Sequence, residues 1–357
     1  MTSHVPLHGS YREHPAGSAP AGKPGADEIV ELTLILRRRK EAPEPPRRES
    51  PRLTHAALDE RHGADPADVE AVEAFASEHG LSVVCVHGAA RSVSLSGPLG
   101  RLAEIFGADL ELRQLGDRTV RTRQGSLRLP RLLHGRVIAV FGFDRRPAAS
   151  TSRRFLPRAA NAISYTPPQI AKIYNFPPNA GKNQTIALIE LGGGFNTSDL
   201  RQYWRRLGLN NDVAVTAVSV GGARNRPEGN PNGPDGEVAL DIEVAGGVAP
   251  GARIAVYFAP NTDQGFFDAI NAAIHDTVRK PSVVSISWGM AESEWTPQAL
   301  DAFNAVFHDA ALLGISVCAA SGDNGSAEGE QDGENHVDFP ASSPWVLGCG
   351  GTRLLAP

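Results

Sequence analysis

Two carboxylates four residues apart, Glu237 and Asp241 in GPDGEVALDIEVAGGVAPGA (residues 233–252), are the first residues that could do chemistry. At that spacing both fall on one face of a helix. The same face carries Leu240, Val244 and Ala245, with Ala239, Glu243 and Gly246 opposite, so the two acids are expected to point into apolar packing. A buried carboxylate is costly to ionise unless it is paired or hydrogen-bonded, and two side by side push at least one pKa upward. Such a pair suits a general base working at acid pH. It equally suits a structural ion-pair network, and spacing alone leaves both readings open.

Two further acids stand where a parallel sheet gathers its functional groups, at the C-terminal ends of strands. Glu190 ends the apolar run TIALIE, and Asp323 follows GISVCAASG in the motif SGDNG, where it is either a site residue or a turn aspartate bonding its own backbone. The glycines after Glu190, in IELGGGFNTSD, give G-x-G through Gly192 and Gly194. The third glycine position of a dinucleotide fingerprint is Thr197, so the run reads as a tight strand-to-helix turn. The acidic stretch DNGSAEGEQDGE (323–334) has acids at its first and twelfth positions, but Gly325, Ala327 and Glu328 break the calcium-loop pattern. None of the eleven histidines lies in a nucleophile-elbow or His-triad setting, and no G-x-S-x-G occurs.

The elements that must position these residues fall into two blocks. Residues 1–26 show no periodicity and are expected to be a disordered leader. In 27–144 the order is strand (DEIVELTLILRR), helix (DPADVEAVEAFASEHG), strand (LSVVCVH), strand (SVSLSG), helix (PLGRLAEIFG) and strand (RVIAVFGFD), which predicts a ferredoxin-like α+β sandwich. Residues 145–164, with five arginines and no apolar period, read as an exposed linker of the kind proteases cut. From Tyr165 to 357, near-continuous apolar strands alternate with helices, which predicts a doubly wound parallel α/β sheet covered on both faces.

Composition excludes several classes. With 41% hydrophobic and 21% charged residues the 357-residue chain is globular, and a net charge of −5 spread along the sequence is not a nucleic-acid footprint. No run approaches the ~18 apolar residues of a membrane span, and residues 1–28 contain no apolar signal-type core. Cys85, Cys318 and Cys349 are odd in number and far apart in apolar settings, so they read as small core residues rather than a disulfide or zinc framework.

Taken together, TIALIELGGG, GPDGEVALDIEVAGGVAPGA, IAVYFAPNTDQGF, SVVSISWG, AASGDNGS and HVDFPASSPWVLGCGGT resemble the sedolisin family of serine-carboxyl peptidases across 165–357, and 27–144 resembles that family's activation propeptide. The resemblance implies a subtilisin-like α/β fold and an acid-acting endopeptidase precursor on protein or peptide substrates. Its own propeptide would serve as an intramolecular inhibitor, in an extracellular or acidic compartment. By the match, Glu237 is the general base, Asp241 orients it and Asp323 contributes to the oxyanion hole, with Glu190 and Trp288 in support. The family's nucleophile lies in a downstream G-T-S-x-x-x-P motif followed by a calcium site. Here Gly351 and Thr352 are followed by Arg353, so the serine and the calcium ligands are expected outside these residues, with 165–357 the N-terminal part of the peptidase domain. The 357 residues alone are then expected to be inactive, the alternative being a peptide-binding or inhibitory module.

Overall fold

The structure, a computed structural model, describes residues 4–44, 52–151, 164–177, 181–209, 213–352 and 354. Its first elements are β1 (His4–Pro6), β2 (Ala19–Gly22), β3 (Ile29–Leu36), α1 (His55–His62), α2 (Pro66–Glu78) and β4 (Ser82–His87). They continue through β5 (Ser92–Pro98), α3 (Leu99–Phe106), β6 (Asp109–Leu115), β7 (Arg118–Gln124), β8 (Arg128–Pro130) and β9 (Val137–Phe141). Then come β10 (Ser150–Thr151), α4 (Pro167–Ile173), β11 (Thr185–Glu190), α5 (Thr197–Arg206), β12 (Ala214–Ser219), α6 (Pro234–Val248) and β13 (Arg253–Phe258). The last are α7 (Asp263–Ile274), β14 (Val283–Ile286), β15 (Trp288–Ala291), α8 (Pro297–Leu313), β16 (Ser316–Ala320), β17 (Asp338–Phe339) and β18 (Leu347–Cys349). Two compact units result: one of residues 1–148, 261–267 and 293–314, the other of 149–260, 268–292 and 315–357.

In the first unit β4, β5, β3 and β9 form an antiparallel sheet in that order, the strand arrangement expected of a β-α-β-β-α-β sandwich. Asp65 caps α2 by accepting from the Ala67 N–H, and Gly107, at φ +60°, ends α3 in the left-handed region that glycine tolerates. One face of the sheet and these helices bury Leu32, Leu34, Phe75, Leu95, Leu102 and Phe106. Helix α8 belongs to this unit: its fully buried Asp309 accepts from Arg38 Nη1 at 2.5 Å and Arg91 Nη1 at 2.6 Å. Its Gln298 amide accepts from the Val140 N–H and donates to the Val140 carbonyl on the outer edge of β9.

Residues 4–26, expected to lack a fold, are ordered. Strand β1 pairs antiparallel with β8, β2 pairs with β6, and Leu7 enters the unit's core. These strands are too short to show a period in sequence, and open strand edges elsewhere in the chain supply their hydrogen bonds. Of the expected linker, residues 152–163 lie outside the described residues.

The second unit is built on a six-stranded parallel sheet in the order β12-β13-β11-β14-β16-β18, as the alternating pattern predicts. Strand β11 is central, and the crevice beyond its C-terminal end is where such sheets gather functional groups. Helix α6 does not present the expected face. Leu240 and Val244 are exposed, while Val238, Ile242 and Gly246 are buried against the sheet and α5. Gly246 explains the rotation: a Cβ there would sit 2.6 Å from Trp204 Cζ2, so the bare glycine lets the indole of α5 pack close against the helix. The cysteines correct the expectation of core residues: Cys85 and Cys349 are exposed and Cys318 is half-buried, because β4 and β18 are edge strands.

Candidate active site

The turn that the glycine run predicts is present, and it locks α6 to the end of β11. Gly193 has φ +67°, and a Cβ there would fall 2.7 Å from the Asp235 nitrogen, so only glycine permits this approach. Asp235, in the first turn of α6, accepts from the N–H of Gly194 (2.9 Å), Glu228 (2.7 Å), Gly229 (2.6 Å) and Asn230 (3.3 Å). One carboxylate thus ties the turn after β11, the incoming loop and the helix together. A negative charge there also complements the helix N-terminus.

The register so imposed brings three acids to one place. Glu190, the last residue of β11, is fully buried, and Trp288 Nε1 donates to its Oε2 at 3.0 Å. Burial first, then the charges of Asp241 and Glu237, push the Glu190 pKa well above the ordinary range, against the Trp288 hydrogen bond. Ser287, between β14 and β15, donates to Asp241 at both Oδ1 (3.0 Å) and Oδ2 (2.8 Å). Burial still raises the Asp241 pKa to about 6, with the Ser287 bond opposing it. Glu237 is 6% exposed one turn before Asp241. Glu190 and Asp241 thus hold their protons above the ordinary carboxyl range, which suits groups that transfer protons.

Of the residues singled out in sequence, Glu190, Glu237, Asp241 and Trp288 are brought together. Asp323 is exposed in the turn after β16. Two residues were missed. Ser287 precedes Trp288 in SISWG, and only the sheet order shows that its hydroxyl faces α6. Asp338 in β17 is 5% exposed, neither carboxylate oxygen has a hydrogen-bond partner, and burial with the nearby Glu328 charge pushes its pKa up to about 7. Gly289 makes room for it, since a Cβ there would lie 2.2 Å from Asp338 Oδ1. An aspartate between Val337 and Phe339 was the available sign. Strand β15 pairs antiparallel with β17 on one side and with β10 on the other, Ser150 opposite Gly289 and Thr151 opposite Trp288.

The profile of the Pro-kumamolisin activation domain matches residues 21–146 and that of the subtilase family matches 198–354. Kumamolisin of a Bacillus species is 45% identical over 370 aligned positions, which cover 98% of this chain and 67% of kumamolisin. The chain belongs to the sedolisin family of serine-carboxyl peptidases. Tripeptidyl-peptidase sed5 of Aspergillus fumigatus is 27% identical over 97% of this chain and 66% of its own length. Sedolisin of a Pseudomonas species is 29% identical over 81% of this chain and 52% of its own. This sedolisin-family chain therefore spans between about half and two thirds of these relatives. It combines an activation domain with a subtilisin-like parallel sheet.

Proposed function

We propose that the chain is the precursor portion of an acid-acting serine-carboxyl endopeptidase that hydrolyses peptide bonds by acyl transfer. The buried carboxyl group formed by Glu190, Glu237 and Asp241 carries the reading. In it Glu237 is the general base, taking the proton of a serine supplied by sequence outside these residues. Asp241, anchored by Ser287, orients Glu237, while Glu190 and Trp288 extend the acid network. Asp323 is assigned to the developing oxyanion. Because Glu190 and Asp241 hold their protons above the ordinary carboxyl range, activity falls on the acid side.

Substrates are proteins or peptides bound in extended form. The antiparallel pairing of β10 with β15 beside Trp288 supports this, because strand addition is how an exposed β edge takes a peptide. The activation domain's role as intramolecular inhibitor rests on the family resemblance, with processing placed inside 145–164. The strand pairing also favours a second reading, in which these residues alone act as a peptide-binding or inhibitory module. Among the described residues no group of three or more His, Cys, Asp or Glu side chains is set to hold a metal ion. By family resemblance alone, calcium is assigned to sequence beyond residue 357, and no step runs through it.

The test compares the 357-residue chain with the same chain joined to a downstream segment containing G-T-S-x-x-x-P, against a peptide library at acid pH. The first should be inactive. The second should be active, should acquire a new N-terminus within 145–164, and should lose roughly 10²-fold or more in turnover on Glu237→Gln. Robust cleavage by the unextended chain, or near-normal turnover in Glu237→Gln, refutes the assignment.

A further inference from the structure

Parallel neighbours β12, β13 and β11 end at the same edge of their sheet, and the segments leaving them enclose a cleft of about 330 Å³. Residues 191–193 follow β11, residues from 222 to 228 follow β12, and Phe258, Ala259 and Pro260 close β13. This is the carboxyl edge, where parallel sheets place ligands. Arg224 and Arg226 line the cleft from the β12 side, with the Glu228 carboxylate on the same wall. Both arginines are exposed, and among the described residues neither guanidinium has an ion-pair or hydrogen-bond partner. Arg38, Arg91, Arg121 and Arg146, by contrast, are each paired with a carboxylate.

The backbone that carries the pair is held in place. Asn225, between the two arginines, accepts from the Phe195 N–H (2.7 Å) and donates to the Phe195 carbonyl (3.0 Å), and the Arg226 N–H donates to the Gly193 carbonyl (3.2 Å). Gly194 permits this approach, since a Cβ there would lie 2.4 Å from both Asn225 Oδ1 and the Pro227 nitrogen. Ser219 Oγ also donates to the Ala223 carbonyl. The two guanidinium groups therefore extend from a fixed strap, and each presents the planar fork of donors that matches a carboxylate. On the far side of Glu228 a second cleft of about 600 Å³ is lined by Asp199, Asp235 and Glu243, so an anion reaching this end of the sheet is steered away from it and toward the arginines.

We propose that this cleft is a subsite for the carboxylate side chain of a glutamate or aspartate in the bound peptide, gripped by Arg224 and Arg226. The inference rests on the function proposed above and narrows its substrate class. Leu191, on the cleft wall, directly follows Glu190 in the chain, so a peptide residue seated here lies within a few positions of the bond being cleaved. An endopeptidase cuts inside chains, which makes a side chain rather than a free C-terminus the source of the carboxylate. Both arginines stay charged at any acid pH. The peptide carboxylate, with an ordinary pKa of about 4, is held ionised to lower pH by the two cations beside it.

The binding test uses the 357-residue chain with isotope-labelled arginine, reading the side-chain Nε–H signals by NMR at low salt and pH ~6, where the peptide carboxylate is charged. The probes are acetyl-Ala-Glu-Ala-Ala amide, its Gln counterpart, and the Gln peptide with a free C-terminus. The Glu probe should move the Arg224 and Arg226 signals and bind roughly tenfold tighter than the capped Gln probe, with the difference shrinking as salt is raised. The double variant Arg224→Gln, Arg226→Gln should remove the difference, and Arg224→Glu, Arg226→Glu should turn the preference toward a Lys probe; both pairs replace exposed side chains, so the fold is retained. In the chain completed with its serine segment, kcat/KM should favour Glu over Gln at one peptide position by roughly tenfold, and the ratio should fall to about one in the Gln double variant. Equal binding of the capped probes, or a preference that follows only the free C-terminus, overturns the subsite. Cleavage with no positional preference for Glu overturns its place in substrate binding. Glu-selective binding by a completed chain that cleaves no peptide keeps the cleft as a carboxylate site and removes the peptidase reading instead.

Discussion

Replacing Ser287 by alanine isolates the interaction that sets the proton affinity of the carboxyl group. In the folded chain the Asp241 pKa is raised from 3.8 to about 6 by burial, and the Ser287 hydroxyl, at 2.8 and 3.0 Å from its two oxygens, is the force opposing that rise. A hydrogen bond to a charged group contributes about 1.5–3 kcal/mol. At about 1.4 kcal/mol per pKa unit, its loss should lift Asp241 by a further one to two units, to roughly 7–8. A carboxyl whose folded pKa lies above its unfolded value favours folding when protonated. Its contribution is therefore intact below about pH 4 and is lost as pH rises through the folded pKa. For the unmodified chain that loss is of the order of 3 kcal/mol, complete a little above pH ~6. The Ser287→Ala chain should lose about 1.5–3 kcal/mol more, between roughly pH 6 and 8. Carbon NMR of labelled aspartate carboxyls reads the pKa directly, and urea denaturation across the same range reads the stability. An Asp241 pKa that stays put or falls in Ser287→Ala, or a stability difference independent of pH, would refute the reasoning.

Asp309→Ala should destabilise the first unit by about 3–5 kcal/mol in denaturant melts, since it leaves Arg91, 2% exposed, without its carboxylate partner. Gly246→Ala should cost about 1–3 kcal/mol and change Trp204 fluorescence, because the added methyl must displace the indole; an unchanged melt would show that α5 moves freely. In the chain completed with its serine segment, Asp323→Asn should lose activity at the acid optimum less severely than Glu237→Gln. Activity unchanged by Asp323→Asn would remove Asp323 from the oxyanion role.

What could be read from the sequence is what is written locally. The alternation of apolar strands and helices gave the parallel sheet, the β-α-β-β-α-β order gave the antiparallel sandwich, and Gly192 to Gly194 gave the turn, because each depends on residues within a few positions of one another. The i, i+4 spacing put Glu237 and Asp241 side by side for the same reason. Tertiary structure decided the rest. The helix phase that exposes Leu240 and Val244 depends on how Gly246 meets Trp204 of α5, a contact that the apolar pattern of α6 alone does not show. The short strands of residues 4–22 exist because distant edges need partners. Glu190, Asp241 and Ser287 meet only because strand order sets which elements are neighbours. Strand order is a property of the whole sheet, fixed by packing both of its faces at once, so residues tens of positions apart carry no local mark of their contact.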